Sequence, residues 1–227
     1  MNTSLPAWPY PRWIAHRGAG KLAPENTLAA FRLGAQHGWR MFECDAKLSS
    51  DGVPFLLHDA TLERTTSGQG TAGDLPWGAL ARLDAGAWHS RAYAGEPLPT
   101  LENVVRWCLA NGLDLNVEIK PTPGRAVAVL LARLWPAART APLLTSFQPA
   151  ALEGARAAAP ALPRGLLADR LAPTSDGTLH LVYHTVAWQY FDEDDKARIR
   201  AALDAAGAEA TAETPLGWLG LEVNDDR

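Results

Sequence analysis

Seven residues among the first 120 have types suited to a phosphate ester: His16, Arg17, Glu43, Asp45, His58, Glu118 and Lys120. Glu43 and Asp45 lie two apart in Met-Phe-Glu-Cys-Asp-Ala-Lys (41–47), a stretch that reads as a strand. Side chains on a strand alternate between faces, so the two carboxylates project to one side. Like charges held together repel and lose hydration, and a divalent cation relieves both penalties, because hard cations take carboxylate oxygens. With Glu118 as a third ligand, the expected metal is Mg²⁺ or Ca²⁺. Arg17 and Lys120 would neutralise a phosphate and stabilise the charge that builds on its oxygens. His16 and His58 can exchange a proton near neutral pH, one as base and one as acid. A metal alone could bind a phosphodiester; two histidines beside it suggest turnover.

Each piece has a plainer reading. A carboxylate pair on a strand is more often half-exposed than metal-binding, and a strand-end histidine is as often a satisfied structural residue. Arg17 and Lys120 could pair with Glu43 and Glu118 in a buried ion network without metal. For all of these to be incidental, each must hold at the same end of the same sheet.

The elements that must position these residues alternate. Residues 13–16 form a short apolar run, followed by the loop Arg17-Gly18-Ala19-Gly20 and a helix opened by Pro24-Glu25-Asn26-Thr27. Asn26 or Thr27 would cap that helix and Gly38 would end it. After the carboxylate strand, Ser49-Ser50-Asp51-Gly52 is a turn signal, and the apolar run 53–57 ends at His58. Folded back as a hairpin, this run sets His58 close to the level of Glu43 and Asp45. Helices are predicted over 100–112, 126–135, 149–158 and 192–206, and strands over 115–119, 143–147, 164–168 and 179–184. Such alternation predicts a mainly parallel sheet, and six or so βα units favour a (β/α)₈ TIM-type barrel. His16 and Arg17, Glu43 and Asp45, and Glu118 and Lys120 then end three consecutive strands, at the barrel face where active sites lie. Residues 59–99, rich in Gly, Trp and charge, interrupt the alternation. They are expected to be a small insertion over one end of a single domain spanning 1–227, without a core of their own.

Of the other candidates, His37 reads as surface, and His89 as either structural or lining the substrate side. His184 has a weak claim to a pocket. Cys44 alternates with the carboxylates and should face the helices as a core thiol. Trp77, Trp88 and Trp188 could wall a cleft. No GxGxxG follows the first strand, so a dinucleotide site is not indicated. The formal charge of −4 gives no basic footprint for nucleic acid, and 47% apolar residues rule out a disordered chain. Two cysteines in 227 residues do not make a disulfide framework, and neither a secretory leader nor a membrane span is evident; the cytoplasm is the expected setting.

Taken together, AHRGAGKLAPENTLAAF (15–31), FECDAKLSSDGVPFLLHDATLERTTSGQG (42–70), GEPLPTLENV (95–104), NVEIKP (116–121) and TSFQ (145–148) resemble the glycerophosphodiester phosphodiesterase family, closest to its cytoplasmic bacterial members. The resemblance runs from residue 13 to about 207. It implies a (β/α)₈ barrel with a small insertion after the second strand's hairpin. It also implies hydrolysis of small glycerophosphodiesters to glycerol 3-phosphate and an alcohol, with the glycerol hydroxyl as first nucleophile through a cyclic phosphate. By resemblance, Glu43, Asp45 and Glu118 hold the metal, His16 and His58 are the acid–base pair, and Arg17 and Lys120 grip the phosphate. A phospholipase D-type enzyme acting on lysophospholipids shares this constellation, and a non-catalytic phosphoester-binding barrel is the alternative from another class. The pattern departs after residue 207: a strand-like run at 216–223 leads to Leu221-Glu222-Val223-Asn224, a faint echo of the seventh-strand motif. No final helix and eighth strand follow, so the C-terminal βα units are expected to be atypical or truncated.

Overall fold

The computed structural model describes residues 9–11, 13–120 and 124–167, together with the backbone of 180–184 and 216–220. Among the described residues seven strands follow one another as β1 (Met41–Leu48), β2 (Pro54–Leu56), β3 (Asp114–Ile119), β4 (Leu143–Ser146), β5 (Arg164–Leu167), β6 (His180–His184) and β7 (Leu216–Gly220). The helices are α1 (Leu28–Gln36), α2 (Trp77–Leu80), α3 (Leu101–Ala110), α4 (Gly124–Leu134) and α5 (Pro149–Ala158). The expected helix over 192–206, Trp188 and the echo at 221–224 lie outside the described residues.

Local chemistry accounts for the helix ends. The Thr27 hydroxyl accepts from the Ala30 amide and donates to the Pro24 carbonyl, so Thr27 and not Asn26 caps α1. Thr100 caps α3 in the same way, through the Asn103 amide. Gly38, at φ +92°, takes the left-handed turn that closes α1.

The strands form one sheet in the order β2-β1-β3-β4-β5-β6-β7, parallel except for β2, which returns antiparallel along β1. This is the βα succession of a TIM-type barrel. The expected first strand contributes a single bridge: Ala15 pairs with Phe42, donating to Met41 O and accepting from Glu43 N at 2.9 Å each. It goes no further because Arg17 turns to φ +51° and bends the chain out of the sheet. Among the described residues, no strand joins β7 to this bridge.

Side-chain alternation on β1 divides the interior from the outer layer. Phe42, Cys44 and Ala46 point outward into the main core, with Leu115, Val117 and Ile119 of β3 and the buried faces of α3 and α4. Phe31 of α1, Phe42 and Trp107 of α3 meet there, ring centroids 5.3–6.2 Å apart. The inward residues change character along the strands. Met41 and Leu143, the first residues of β1 and β4, pack with Ile14 and Leu167 in an apolar cluster. Asn116 and Thr145 hydrogen-bond one step higher, and Asp45 stands level with Glu118 in the parallel register. Polarity therefore rises toward the carboxyl ends of the strands.

Residues 59–99 fold over that end around an apolar cluster that they share with the hairpin. Leu62, Ala72, Leu80, Ala85 and Leu98 pack on Phe55 and Leu57, the inward face of the hairpin, so the cluster is founded on the barrel itself. The Asp84 carboxylate accepts from the amides of Gly86, Ala87 and Gly95, pinning the loop into shape. The insertion is tied to α1 and to the loop ahead of it: Glu96 Oε1 accepts from Ala29 N at 2.9 Å, and His89 Nε2 meets Lys21 O at 2.9 Å. Glu96 thus satisfies one of the orphan amides of a helix N-terminus, where a negative charge is also favoured by the dipole. Trp77 packs on Phe55 and is partly buried in this cluster. Trp88 is exposed, its indole donating to Ala85 O. Among the described residues, no helix is long and apolar enough to cross a membrane.

Candidate active site

Glu43, Asp45 and Glu118 are all buried, and one carboxylate oxygen of each lies within 4.8 Å of the others. Parallel pairing of β1 with β3 causes this: Asp45 stands opposite Glu118, and Glu43 is one inward step below. Two cations share the space. Lys120 Nζ contacts Asp45 Oδ1 at 2.9 Å and also pairs with Glu118. Arg17 donates its backbone amide to Glu43 Oε2 at 3.0 Å, while its guanidinium reaches Asp45 Oδ2 at 3.3 Å and Glu25 Oε1 at 2.9 Å. The buried ion network envisaged as a metal-free reading is thus partly real, but built on Asp45 more than on Glu43.

That asymmetry divides the carboxylates. Burial alone would raise Asp45, but Lys120 and Arg17 outweigh it and hold its pKa at about 2. Glu43 is pushed well above the usual range, first by burial and then by the charges of Asp45 and Glu118. Its Oε1 is buried and has no hydrogen-bond partner. An orphaned oxygen on a carboxylate that resists ionising, with two more carboxylates alongside, is a donor set a hard divalent cation fits. These three residues could therefore hold a metal ion.

Of the two histidines, only His16 touches this group, its Nε2 lying 3.9 Å from Glu43 Oε2. Burial, and then the neighbouring Arg17 charge, lower its pKa to about 4, so the ring is neutral at pH 7. His58 is half-buried and stands one remove away, its Nδ1 2.7 Å from Asp59 Oδ1. The hairpin does bring it toward the carboxylates, since Leu57 donates to Asp45 O at 3.1 Å. Of the seven residues singled out from the sequence, six are joined by direct contacts, and His58 borders them.

Sequence reasoning missed five neighbours. Asn26, seen only as a possible cap, is buried at φ +58°; its Nδ2 donates to Asp45 Oδ2 at 2.8 Å and its Oδ1 accepts from Asp45 N at 3.1 Å. Glu25 accepts from both Arg17 and Arg64, and Asp59 joins Arg64 to His58. Lys47 follows Asp45 on the same face of β1 and is half-buried, its pKa lowered by burial and by Lys120. A third inward residue two beyond Asp45 was legible from alternation alone. Two other candidates behave as expected: His37 is exposed at the end of α1, and Cys44 is a fully buried thiol in the main core; the side chain of His184 lies outside the described residues.

Comparison with known proteins gives these residues a context. Glycerophosphodiester phosphodiesterase 1 of Rattus norvegicus is 41% identical over 119 residues, covering 52% of this chain and 36% of its own length. A glycerophosphodiester phosphodiesterase of Caldanaerobacter subterraneus subsp. tengcongensis is 40% identical over 107 residues, covering 47% and 44%. The chain thus spans less than half the length of these curated relatives. Among solved structures, a phosphodiesterase of Oleispira antarctica in complex with the product sn-glycerol-3-phosphate superposes with a TM-score of 0.71 at 29% identity, covering 92% of both chains. The glycerophosphodiester phosphodiesterase of Agrobacterium tumefaciens gives 0.70 at 25% identity, covering 93% of this chain and 96% of that one. Residues 16–202 match the profile of the Glycerophosphoryl diester phosphodiesterase family, a span that takes in every residue of the cluster. The barrel, the carboxylate trio at its carboxyl end and this match agree: the chain belongs to the glycerophosphoryl diester phosphodiesterase family.

Proposed function

We propose that this protein hydrolyses small glycerophosphodiesters to glycerol 3-phosphate and an alcohol, with Glu43, Asp45 and Glu118 holding a divalent cation, Mg²⁺ or Ca²⁺. The observation that carries this reading is the orphaned, ionisation-resistant Glu43 carboxylate beside a neutral histidine and two cations at the barrel's carboxyl end. The Oleispira relative's product supports the choice of substrate class. When bound, the cation would supply Lewis acidity and charge neutralisation at the phosphoryl oxygens. Arg17 and Lys120 would hold the phosphate. His16, kept neutral by burial, is suited to take the proton from the attacking hydroxyl. His58, oriented through Nδ1 by the Asp59 carboxylate, is placed to give a proton to the leaving alcohol oxygen. The glycerol hydroxyl would attack first, and water would then open the cyclic phosphate with the two histidines exchanging roles.

We read residues 1–227 as one domain whose insertion, built on Phe55 and Leu57, covers the glycerol end of the substrate. The cytoplasm is the proposed setting, in keeping with Cys44 and Cys108, both buried and unpaired. The deciding experiment incubates the protein with glycerophosphocholine and Mg²⁺ or Ca²⁺ and follows glycerol 3-phosphate. We expect metal-dependent release, reduced at least about 10²-fold in His58→Ala. Absence of release, or equal release by the variant, would overturn the proposal.

A further inference from the structure

Arg64 sits in the insertion, 39 residues from Glu25, and its side chain is 45% exposed. An ordinary ion pair at such a position contributes little to stability. Its geometry is not ordinary. Nη1 and Nη2 grip the two oxygens of Glu25 at 2.9 and 2.8 Å, while Nε and Nη2 grip the two oxygens of Asp59. One guanidinium thus makes a forked contact with two carboxylates at once, an arrangement a lysine cannot reproduce.

Both carboxylates lead to residues placed in the reaction. Asp59 Oδ1 lies 2.7 Å from His58 Nδ1, and Glu25 Oε1 accepts from Arg17 Nη1 at 2.9 Å. Arg17 in turn reaches Asp45. The row His58, Asp59, Arg64, Glu25, Arg17, Asp45 is linked contact by contact, its charges alternating from Asp59 to Asp45, and bridges the insertion to the loop ahead of α1. The fork from Arg64 fixes the Asp59 carboxylate against the ring; a carboxylate can only accept, so Nδ1 of a neutral His58 ring must carry the hydrogen. This leaves Nε2 as the nitrogen that exchanges a proton with the substrate. A ring free in water has no such constraint.

We propose that Arg64 is a positioning residue: through Asp59 it fixes the orientation and tautomer of His58, and through Glu25 the guanidinium of Arg17. The effect on turnover rests on the hydrolase reading above; the effect on the ring does not.

The test uses the full chain in Mg²⁺ buffer, as wild type, Arg64→Ala and Arg64→Lys, with ¹⁵N-labelled histidine. The ring nitrogens report the tautomer, and steady-state hydrolysis of glycerophosphocholine reports the rate. In the wild type, at a pH where the ring is neutral, we expect His58 protonated at Nδ1. In both variants we expect a mixture or the Nε2-protonated form, with kcat lowered by about 10²-fold, the scale of a small misplacement of reacting groups. Arg64→Lys retains a positive charge, so it also serves if Arg64→Ala folds poorly. An unchanged tautomer in a folded variant overturns the proposal whatever the rate, and so does a changed tautomer with kcat within twofold of an active wild type. A wild type that releases no glycerol 3-phosphate sinks the hydrolase reading instead, and the tautomer alone then decides whether Arg64 sets the ring.

Discussion

Glu43 is the residue on which burial and charge disagree most. Buried among Asp45 and Glu118 and left with an unpartnered oxygen, it has a raised pKa; the folded, metal-free protein therefore holds its proton more tightly than the unfolded chain does. Stability that is present below the unfolded value of about 4.5 is then lost as pH rises through the folded one, so at neutral pH Glu43 is a cost. Glu43→Gln should therefore raise the urea midpoint of the metal-free protein at pH 7, by on the order of 1 kcal/mol, and should remove the stabilisation that added Mg²⁺ or Ca²⁺ gives the wild type. A variant that is less stable without metal and still stabilised by it would contradict the proposed ligand set. The same scale shows what the sequence could convey. Two carboxylates in alternation on one strand are visible in a string of letters, because the period of a strand is local. Asn26 was not visible in its role: an Asn ahead of a helix looks like a cap, and only its left-handed backbone and a partner 19 residues away turn it toward Asp45.

At the scale of elements, close approach does what charge does in the site. A Cβ on Gly34 of α1 would lie 2.5 Å from Gly18 O and 2.7 Å from Phe42 Cε1, so the helix lies directly against the loop that carries Arg17 and against β1. Gly34→Ala should cost about 1–3 kcal/mol of stability in chemical denaturation, as overpacking does, and should reduce activity by displacing that loop. A neutral effect on both would show that α1 has room to shift. Periodic elements were legible: α5 begins and ends where its proline and alanines suggest, and the β1–β2 hairpin follows from its Ser-Ser-Asp-Gly turn. The first strand was overestimated, since an apolar run cannot report that Arg17 bends out of the sheet after one bridge. The insertion's apolar cluster escaped notice because its members are spaced without a helical or strand period and meet only on Phe55 and Leu57.

For the whole molecule, the insertion's attachments matter more than its size. Glu96 anchors it on the Ala29 amide, His89 on the Lys21 carbonyl and Arg64 on Glu25. Glu96→Ala should speed hydrogen exchange at the Ala29 amide and lower kcat, while the β1 and β3 amides keep their protection; unchanged exchange at Ala29 would mean the tether carries no load. All three anchors land within nine residues of chain, on the stretch that also supplies His16, Arg17 and Asn26 to the carboxylates. Segments 16–29 and 58–98 are consequently one component made from two lengths of polypeptide. Anyone transplanting this site into another barrel, or exchanging loops between relatives, would have to move both lengths together. A graft of either alone would arrive with its couplings cut.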